Sequence, residues 1–238
     1  MSILRIRTIG DPVLRTPAQE VTQFDESLAA LVRDMLETMY AVGGVGLAAP
    51  QVGVGLRVFT WGVHGDEGHV VNPRLSTGQE PQEGGEGCLS VPGLSYETPR
   101  MRHAVLTGVD LHGRPVHREA EGLLARCFQH ETDHLSGTLY VDRLVGDERR
   151  DAMRQLRSAS FEETAARVAR ERDAHRQDAA ASSEAGMHTH ARTASDGARA
   201  DGATTRSQGS AFTRPADDAA ASPGRDGAGS AFGRGGAR

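Results

Sequence analysis

The stretch that most constrains this chain is residues 129–135, Gln-His-Glu-Thr-Asp-His-Leu, which contains the pattern His-Glu-x-x-His. On an α-helix, residues four apart lie on one face, so His130 and His134 can direct their imidazoles at a single metal ion. Glu131 lies about 100° round the helix from His130, within reach of a proton on the open side of that metal. Ser136-Gly137 provides an end for the helix. The same pattern also occurs by chance on surface helices, so the rest of the chain must decide.

The composition fits one domain of ordinary size with an extra segment, since the chain has 238 residues, of which 37% are hydrophobic. A formal charge of −5 argues against a general nucleic-acid-binding protein, because such proteins concentrate positive charge. Two cysteines cannot make a disulfide framework, and the N-terminus lacks the apolar run of a signal peptide. No stretch of the sequence is long and apolar enough to cross a bilayer. We therefore expect a cytoplasmic protein with reduced thiols and no membrane partner.

The middle of the chain predicts an α+β fold. Residues 25–27 begin a helix, and the apolar residues that follow recur at helical spacing, which predicts a face that packs on the core. Four later segments predict strands but do not alternate regularly with helices, as parallel sheets would. We expect antiparallel β-sheets packed around a central metal-binding helix, with further helices at the N- and C-terminal sides. The apolar helix positions are Leu28, Leu31, Val32, Met35, Leu36, Met39 and Tyr40, and the strand segments are 56–61, 69–73, 103–110 and 115–119.

The C-terminal part of the chain predicts little core. Residues 138–144 suit a strand or an extended segment, and Asp147 can cap a helix that runs to Leu156. Residues 159–176 predict a charged helical extension, and residues 177–238 a low-complexity, disordered tail. The catalytic domain should therefore be residues 1–158, and truncation after about Ser158 should leave activity intact, because the removed residues add no core.

A catalytic metal needs at least one ligand besides the two histidines. Glu86, Cys88, Cys127 and Asp133 are the candidates. Cys127 lies on the same helix as His130, and one helix cannot comfortably wrap three ligands round an ion, so a buried wall position suits it better. Cys88 lies in a loop-to-strand segment that can fold over the helix, and its thiolate would leave the fourth position open for water. A cysteine in such a setting is also often only a buried thiol, so these residues alone leave the choice open.

The chain resembles peptide deformylases in three blocks, which follow the family's order and roughly its spacing. The blocks are Gly-Val-Gly-Leu-Ala-Ala-Pro-Gln at 44–51, Glu-Gly-Cys-Leu-Ser at 86–90, and the stretch 129–135. The combination is highly specific, although any one block would not be. The resemblance spans about residues 3–157. Ser136 stands where many relatives have an acidic residue, and the long C-terminal tail lies outside the family pattern.

The resemblance implies that Cys88, His130 and His134 hold one divalent metal ion. Fe²⁺ is the usual ion, although Zn²⁺, Ni²⁺ and Co²⁺ can also occupy such sites, because thiolate and imidazole ligands choose weakly among these metals. The implied substrates are N-formyl-methionyl nascent peptides, which places the enzyme near the ribosome. The products would be formate and a peptide with a free N-terminal methionine.

The chemistry of this ligand set fits such a hydrolase. A metal ion lowers the pKa of a water molecule, and Glu131 can take its proton and later deliver it to the leaving amine. Negative charge then grows on the formyl oxygen. The side-chain amide of Gln51 and the backbone N–H of Leu89 can donate hydrogen bonds to that oxygen.

The resemblance also implies how the peptide is held. The backbone of Gly46 should pair with the substrate main chain, which a side chain would block. Val45, Leu123 and Cys127 are candidates for the wall of the methionine slot, although all three could equally belong to the core. Arg126 lies on the same helix and is a candidate for the edge of this slot.

Four charged residues are candidates for supporting roles. Glu86 can orient a ligand histidine, and Asp133 can pair with an arginine. Arg100 and Arg102 can meet the peptide beyond methionine, or can be solvated.

Two other functions compete with deformylation. A zinc-type metallopeptidase that cleaves internal peptide bonds uses the same helix, but usually takes a distant His or Glu as third ligand, and no long substrate-cleft domain is evident here. A binding module with a vestigial metal site would be expected to lack Glu131 or Gln51, and both are present.

Overall fold

The computed structural model describes residues 2–193, and the side chains of residues 2–179. The helices are α1 (Glu26–Ala41), α2 (Gly122–Leu135), α3 (Tyr140–Arg143), α4 (Gly146–Gln155) and α5 (Ala159–Thr193). The strands are β1 (Gly46–Ala48), β2 (Val58–Val63), β3 (Asp66–Thr77), β4 (Pro81–Gln82), β5 (Gly85–Cys88), β6 (Val91–Glu97), β7 (Arg100–Met101), β8 (His103–Val109) and β9 (Pro115–Glu121). Among residues 2–193, no helix is both long and apolar enough to span a membrane.

The sheets confirm the predicted α+β class. Five strands form one antiparallel sheet in the order β1-β2-β3-β8-β9, and two antiparallel ribbons pair β4 with β7 and β5 with β6. Helix α2 packs against the large sheet, where Phe59 and Trp61 of β2 meet Phe128 of α2. The rings of Trp61 and Phe128 lie edge to face with centroids 5.1 Å apart, a favoured aromatic geometry. The helix with the two histidines is therefore anchored at the centre of the fold.

Helix α1 begins where the sequence predicts it. The side chain of Asp25 accepts hydrogen bonds from the backbone N–H groups of Ser27 and Leu28, as an N-cap residue does. Most of the apolar stripe faces the core, but Tyr40 is 52% exposed and donates a hydrogen bond to Glu67 instead. The last turn of α1 leads through a glycine-rich loop into β1, so the packing of α1 fixes the position of this loop.

The prediction that residues 138–144 form a strand or an extended segment is wrong, since they contain the short helix α3. The backbone N–H of Leu139 donates to the side chain of Asp142, which starts the helical turn. Tyr140 is buried, and its hydroxyl donates to the carbonyl of Leu94. These tertiary contacts override the weak strand pattern. The N-cap of α4 is Val145, and Asp147, the predicted cap, lies in the first turn of that helix.

Helix α5 begins where the charged extension is predicted but continues to Thr193, past the predicted boundary at 176. The segment contains no proline and is rich in Ala, Arg and Glu, which favour helix. Phe161 is buried in the same apolar cluster as Val91 and Tyr140, so the prediction that the chain adds no core after Ser158 is wrong. Residues 194–238, which make up most of the predicted tail, lie outside the described residues.

Candidate functional site

Helix α2 places three polar side chains in the interior of the fold. His130, Glu131 and His134 are 9%, 3% and 1% exposed, respectively. They lie on α2 beside the face that packs on the sheet through Ala125 and Phe128. Because burying polar groups without partners is costly, their placement demands a partner.

Cys88, at the end of β5, meets the two histidines. Its sulfur lies 3.3 Å from Nε2 of His134, and the Nε2 atoms of His130 and His134 are 3.2 Å apart. All three donor atoms lie within 4.8 Å of one another. Ligands at about 2.0–2.3 Å from a tetrahedral ion are separated by about 3.3–3.8 Å. The donor set and its spacing therefore fit one divalent metal ion.

The other ligand candidates do not belong to this cluster. Cys127 is buried, and its sulfur donates to the carbonyl of Val45 at 3.4 Å. Burial raises the pKa of the Cys127 thiol well above its ordinary value, which keeps it protonated. Glu86 and Asp133 are engaged by arginines.

Glu86 supports His130 from behind. Its Oε2 lies 3.0 Å from Nδ1 of His130, and its Oε1 accepts from Nε of Arg100 at 2.7 Å. Burial opposes ionisation of Glu86, but the hydrogen bonds from His130 and Arg100 outweigh it and lower the pKa of the carboxyl to about 2. An ionised Glu86 holds a proton on Nδ1 and leaves the Nε2 lone pair of His130 free for a metal.

Asp133 anchors the same network. It accepts hydrogen bonds from Nη1 of Arg100 at 2.7 Å and from Nε of Arg143 at 3.0 Å. The arginine partner considered for Asp133 is therefore present. Arg100 is only 5% exposed and fully engaged by these carboxylates, so neither of its predicted roles, contact with the peptide or solvation, is correct. Arg102 remains at the surface.

Glu131 lies in the cavity wall beside His130. In the described part of the chain, its Oε2 is buried and makes no hydrogen bond. Burial raises the pKa of its carboxyl from 4.5 to about 7, with the neighbouring Glu86 adding to the rise and His130 opposing it. A carboxyl that titrates near neutral pH can both accept and donate a proton, as a general base and acid must.

This raised pKa predicts how stability depends on pH when the metal is removed. Because the Glu131 carboxyl has a higher pKa in the folded protein than in the unfolded chain, the folded state binds its proton more tightly. The resulting contribution to the free energy of unfolding is fully present below the unfolded pKa of 4.5 and is lost as the pH rises through about 7. Between about pH 4.5 and 8, the metal-free wild-type protein should lose roughly 3 kcal/mol of unfolding free energy relative to Glu131→Gln. Denaturant unfolding of the metal-free proteins measures this difference. The same dependence of unfolding free energy on pH in both proteins would contradict the raised pKa.

Gln51 is held beside the sulfur of Cys88. Its Oε1 accepts from the backbone N–H of Ala48 at 2.8 Å, which turns its NH₂ group towards Cys88 and Ser90. The Nε2 atom lies 3.7 Å from the sulfur and 3.4 Å from the Ser90 hydroxyl. Leu89 follows Cys88 and lies in the same cavity wall. The fixed amide is thus directed at the site.

A cavity of about 560 Å³ opens over this cluster. All three residues predicted for the methionine slot, Val45, Leu123 and Cys127, line it. Val45 and Leu123 are 45% and 42% exposed, so neither is a plain core residue. Exposed apolar side chains at the rim of a polar centre suit an apolar substrate group. Arg126 also lines the cavity, and donates to the carbonyl of Gly84.

Gly46 lies directly against Glu131. A Cβ atom at this position would overlap a carboxylate oxygen of Glu131 and lie 2.7 Å from the sulfur of Cys127. Close approach of the substrate backbone remains the predicted reason for this glycine. The packing of Glu131 is a second reason, which the sequence does not reveal.

Substituting Gly46 with alanine is expected to displace Glu131. Overpacking of this kind costs about 1–3 kcal/mol, and the displaced carboxylate should lower kcat. Thermal unfolding and formate release measure the two effects. Gly55→Ala is the matched control, because a Cβ at Gly55 meets nothing within 4 Å. Equal behaviour of the two variants would show that Glu131 does not depend on Gly46.

Among the residues at the site, Ser90, Val168 and Arg172 were given no role from the sequence. The backbone N–H of Ser90 donates to the sulfur of Cys88 at 3.4 Å, and the block that contains both could have indicated it. Val168 and Arg172 of α5 line the cavity. The sequence of the charged helix gives no signal that would distinguish Val168 and Arg172 from their neighbours.

The comparisons with known proteins agree with this geometry. A sequence model of the family described as polypeptide deformylase matches residues 3–150. A peptide deformylase of Acidothermus cellulolyticus is 54% identical over 168 residues, which cover 71% of this chain and 93% of the relative. One from Parafrankia is 50% identical over 163 residues, covering 68% of this chain and 89% of the relative.

Solved structures give the same result. The crystal structure of a peptide deformylase from Legionella pneumophila superposes with a TM-score of 0.64 at 41% identity, covering 70% of this chain and 99% of that one. The peptide deformylase from Thermotoga maritima superposes with a TM-score of 0.60 at 44% identity, covering 61% of this chain and 100% of that one. This chain therefore belongs to the peptide deformylase family.

Proposed function

We propose that Cys88, His130 and His134 hold the single divalent metal ion with which this deformylase removes the formyl group from N-formyl-methionyl peptides. Deformylation and dependence on a metal are the properties of the family to which the chain belongs. The observation that carries the ligand assignment is the convergence of one sulfur and two Nε2 atoms, with neighbouring pairs 3.2–3.3 Å apart. We propose Fe²⁺ as the native ion, because the family resemblance implies it; the thiolate and imidazole ligands would also accept Zn²⁺, Ni²⁺ or Co²⁺.

Glu131 is the proposed proton carrier. When bound, the ion supplies Lewis acidity, which lowers the pKa of a water molecule and polarises a carbonyl. Glu131 takes the proton of the attacking water and passes it to the leaving amine. Its burial and lack of another partner support this role, because no competing hydrogen bond in the described residues occupies Oε2.

Gln51 and Leu89 are the proposed donors to the formyl oxygen. Charge grows on this oxygen as the formyl carbon becomes tetrahedral, and fixed donors stabilise it most when they need not reorient. The hydrogen bond from Ala48 to Gln51 Oε1 fixes the side-chain amide before substrate arrives. The backbone N–H of Leu89 adjoins the Cys88 ligand in the chain.

The cavity suits a methionyl peptide. We propose that Val45, Leu123 and Cys127 contact the methionine side chain and that the backbone of Gly46 pairs with the peptide main chain. Residues 1–158 then hold all proposed catalytic groups. Because the substrates are nascent chains, we place the enzyme in the cytoplasm, close to the ribosome.

A formate-release assay on the purified full chain tests this function. A formyl-Met-Ala-Ser amide should release formate and a peptide with a free amine, whereas the same peptide with an N-acetyl group should react far more slowly. The internal peptide bonds should stay intact, whereas a zinc-type metallopeptidase would cleave them. Cleavage inside the peptide without formate release would overturn the proposal.

A further inference from the structure

One face of α5 closes the cavity beyond the residues that the family model matches. Val168 and Arg172, one helical turn apart, line the cavity, and Thr164 lies one turn earlier against Gly93. A Cβ at Gly93 would lie 2.8 Å from Thr164 Cγ2, which shows how closely α5 packs on β6. The helix therefore holds Arg172 in a defined place.

A hydrogen bond fixes the position of Arg172 near the catalytic centre. Its Nη1 donates to the carbonyl oxygen of Leu89 at 2.9 Å. Leu89 directly follows Cys88, so the guanidinium lies on the side of the cavity next to the proposed sulfur ligand. An extended peptide advances about 3.3–3.6 Å per residue, so the residues after a bound formyl-methionine can reach this group.

Arg172 differs from the other arginine that lines the cavity, because no carboxylate of residues 2–179 forms an ion pair with it. Arg126, by contrast, pairs with Glu86 at 3.4 Å. Burial lowers the pKa of the Arg172 guanidinium, and the nearby Cys88 only partly opposes this. Arginine nevertheless stays charged. A half-buried cation with unused N–H donors on a cavity wall is a ready partner for a carboxylate.

We propose that Arg172 binds a carboxylate of the substrate downstream of formyl-methionine and so determines which peptides are preferred. The carboxylate can be the side chain of Asp or Glu, or the C-terminal carboxylate of a short peptide. The proposal rests on the substrate entering this cavity, as the proposed function requires. Arg172 would then be a specificity residue supplied by the C-terminal helix.

The test compares kcat/KM of the full, metal-loaded chain on four formylated peptides. Three are amides, formyl-Met-Ala-Gln, formyl-Met-Ala-Glu and formyl-Met-Ala-Lys, and the fourth is formyl-Met-Ala-Gln with a free carboxylate. For wild type we expect the Glu amide, the free acid, or both to exceed the Gln amide by about tenfold, and the Lys amide to fall below it. The Glu amide and the free acid distinguish the two sources of the carboxylate.

Variants then assign the preference to one side chain. Arg172→Gln should bring the ratio of the acidic to the neutral peptide close to one, whereas Arg172→Lys should retain part of it. Arg167→Gln is the matched control, because Arg167 is exposed on α5 and pairs with Glu171. Because the ratio of kcat/KM for the acidic and neutral peptides is taken within each protein, a general loss of activity does not affect it. Thermal unfolding verifies that each variant folds.

The outcomes separate this inference from the proposed function. No formate release from any peptide by wild type would overturn both. Release without an acidic preference, or a preference that Arg172→Gln leaves intact, would overturn only the role of Arg172. A preference that disappears in Arg172→Gln and persists in Arg167→Gln supports it.

Discussion

Replacing Glu131 with glutamine or alanine is expected to lower kcat by about 10²- to 10⁴-fold while the protein keeps its metal. The carboxylate is the only proposed proton carrier, but it is not among the three converging ligand atoms. Glutamine keeps nearly the same shape and removes the basic oxygen. Formate release gives kcat, and elemental analysis of the same samples gives the metal content.

Glu119→Gln is the control for this substitution, because Glu119 is exposed on β9 and belongs neither to the cavity wall nor to the ligand cluster. It should retain both activity and metal. Wild-type turnover in Glu131→Gln would remove Glu131 from the mechanism. Loss of metal in that variant would show that the carboxylate holds the ion rather than the proton.

Replacing Cys88 with alanine is expected to abolish metal retention, and activity with it. Removing the sulfur leaves two imidazoles on one helix, and even loss of a supporting group behind a ligand lowers metal affinity by about 10- to 100-fold. Direct loss of a ligand should exceed that range. Elemental analysis after dialysis against a chelator measures the effect.

Cys127→Ser is the matched control, since it changes the other cysteine, which lies in the same cavity but outside the ligand cluster. It should retain the metal. Full metal occupancy in Cys88→Ala, together with loss in Cys127→Ser, would reverse the assignment of the two cysteines.

The sequence predicts the parts of the site that depend on local geometry. His130 and His134 share a helix face because they are four residues apart, and this needs no knowledge of the rest of the fold. The position of Cys88 cannot be predicted in this way, because its sulfur reaches the two histidines only when the ribbon of β5 and β6 packs beside α2. The residues alone left four candidates for the third ligand, and only the resemblance to a family selected among them.

Residues whose role depends on distant partners could not be predicted. Arg100 could be assigned to the substrate or to solvent from its sequence position, but Glu86 and Asp133 bury it. Arg172 lies in a helix with several arginines, and its contact with Leu89 and its place in the cavity wall set it apart. Such long-range pairings leave no periodic signal in the sequence, unlike the apolar stripe of α1.

The most direct measurement is an X-ray absorption spectrum of the metal in the anaerobically purified full chain. One sulfur at about 2.3 Å and two imidazole nitrogens at about 2.0–2.1 Å are expected, if zinc distances serve as the guide. When Cys88→Ala is loaded with excess metal, the sulfur contribution should be missing from the spectrum of the metal that it binds. A spectrum with nitrogen and oxygen ligands alone would contradict the convergence of Cys88, His130 and His134 on one ion.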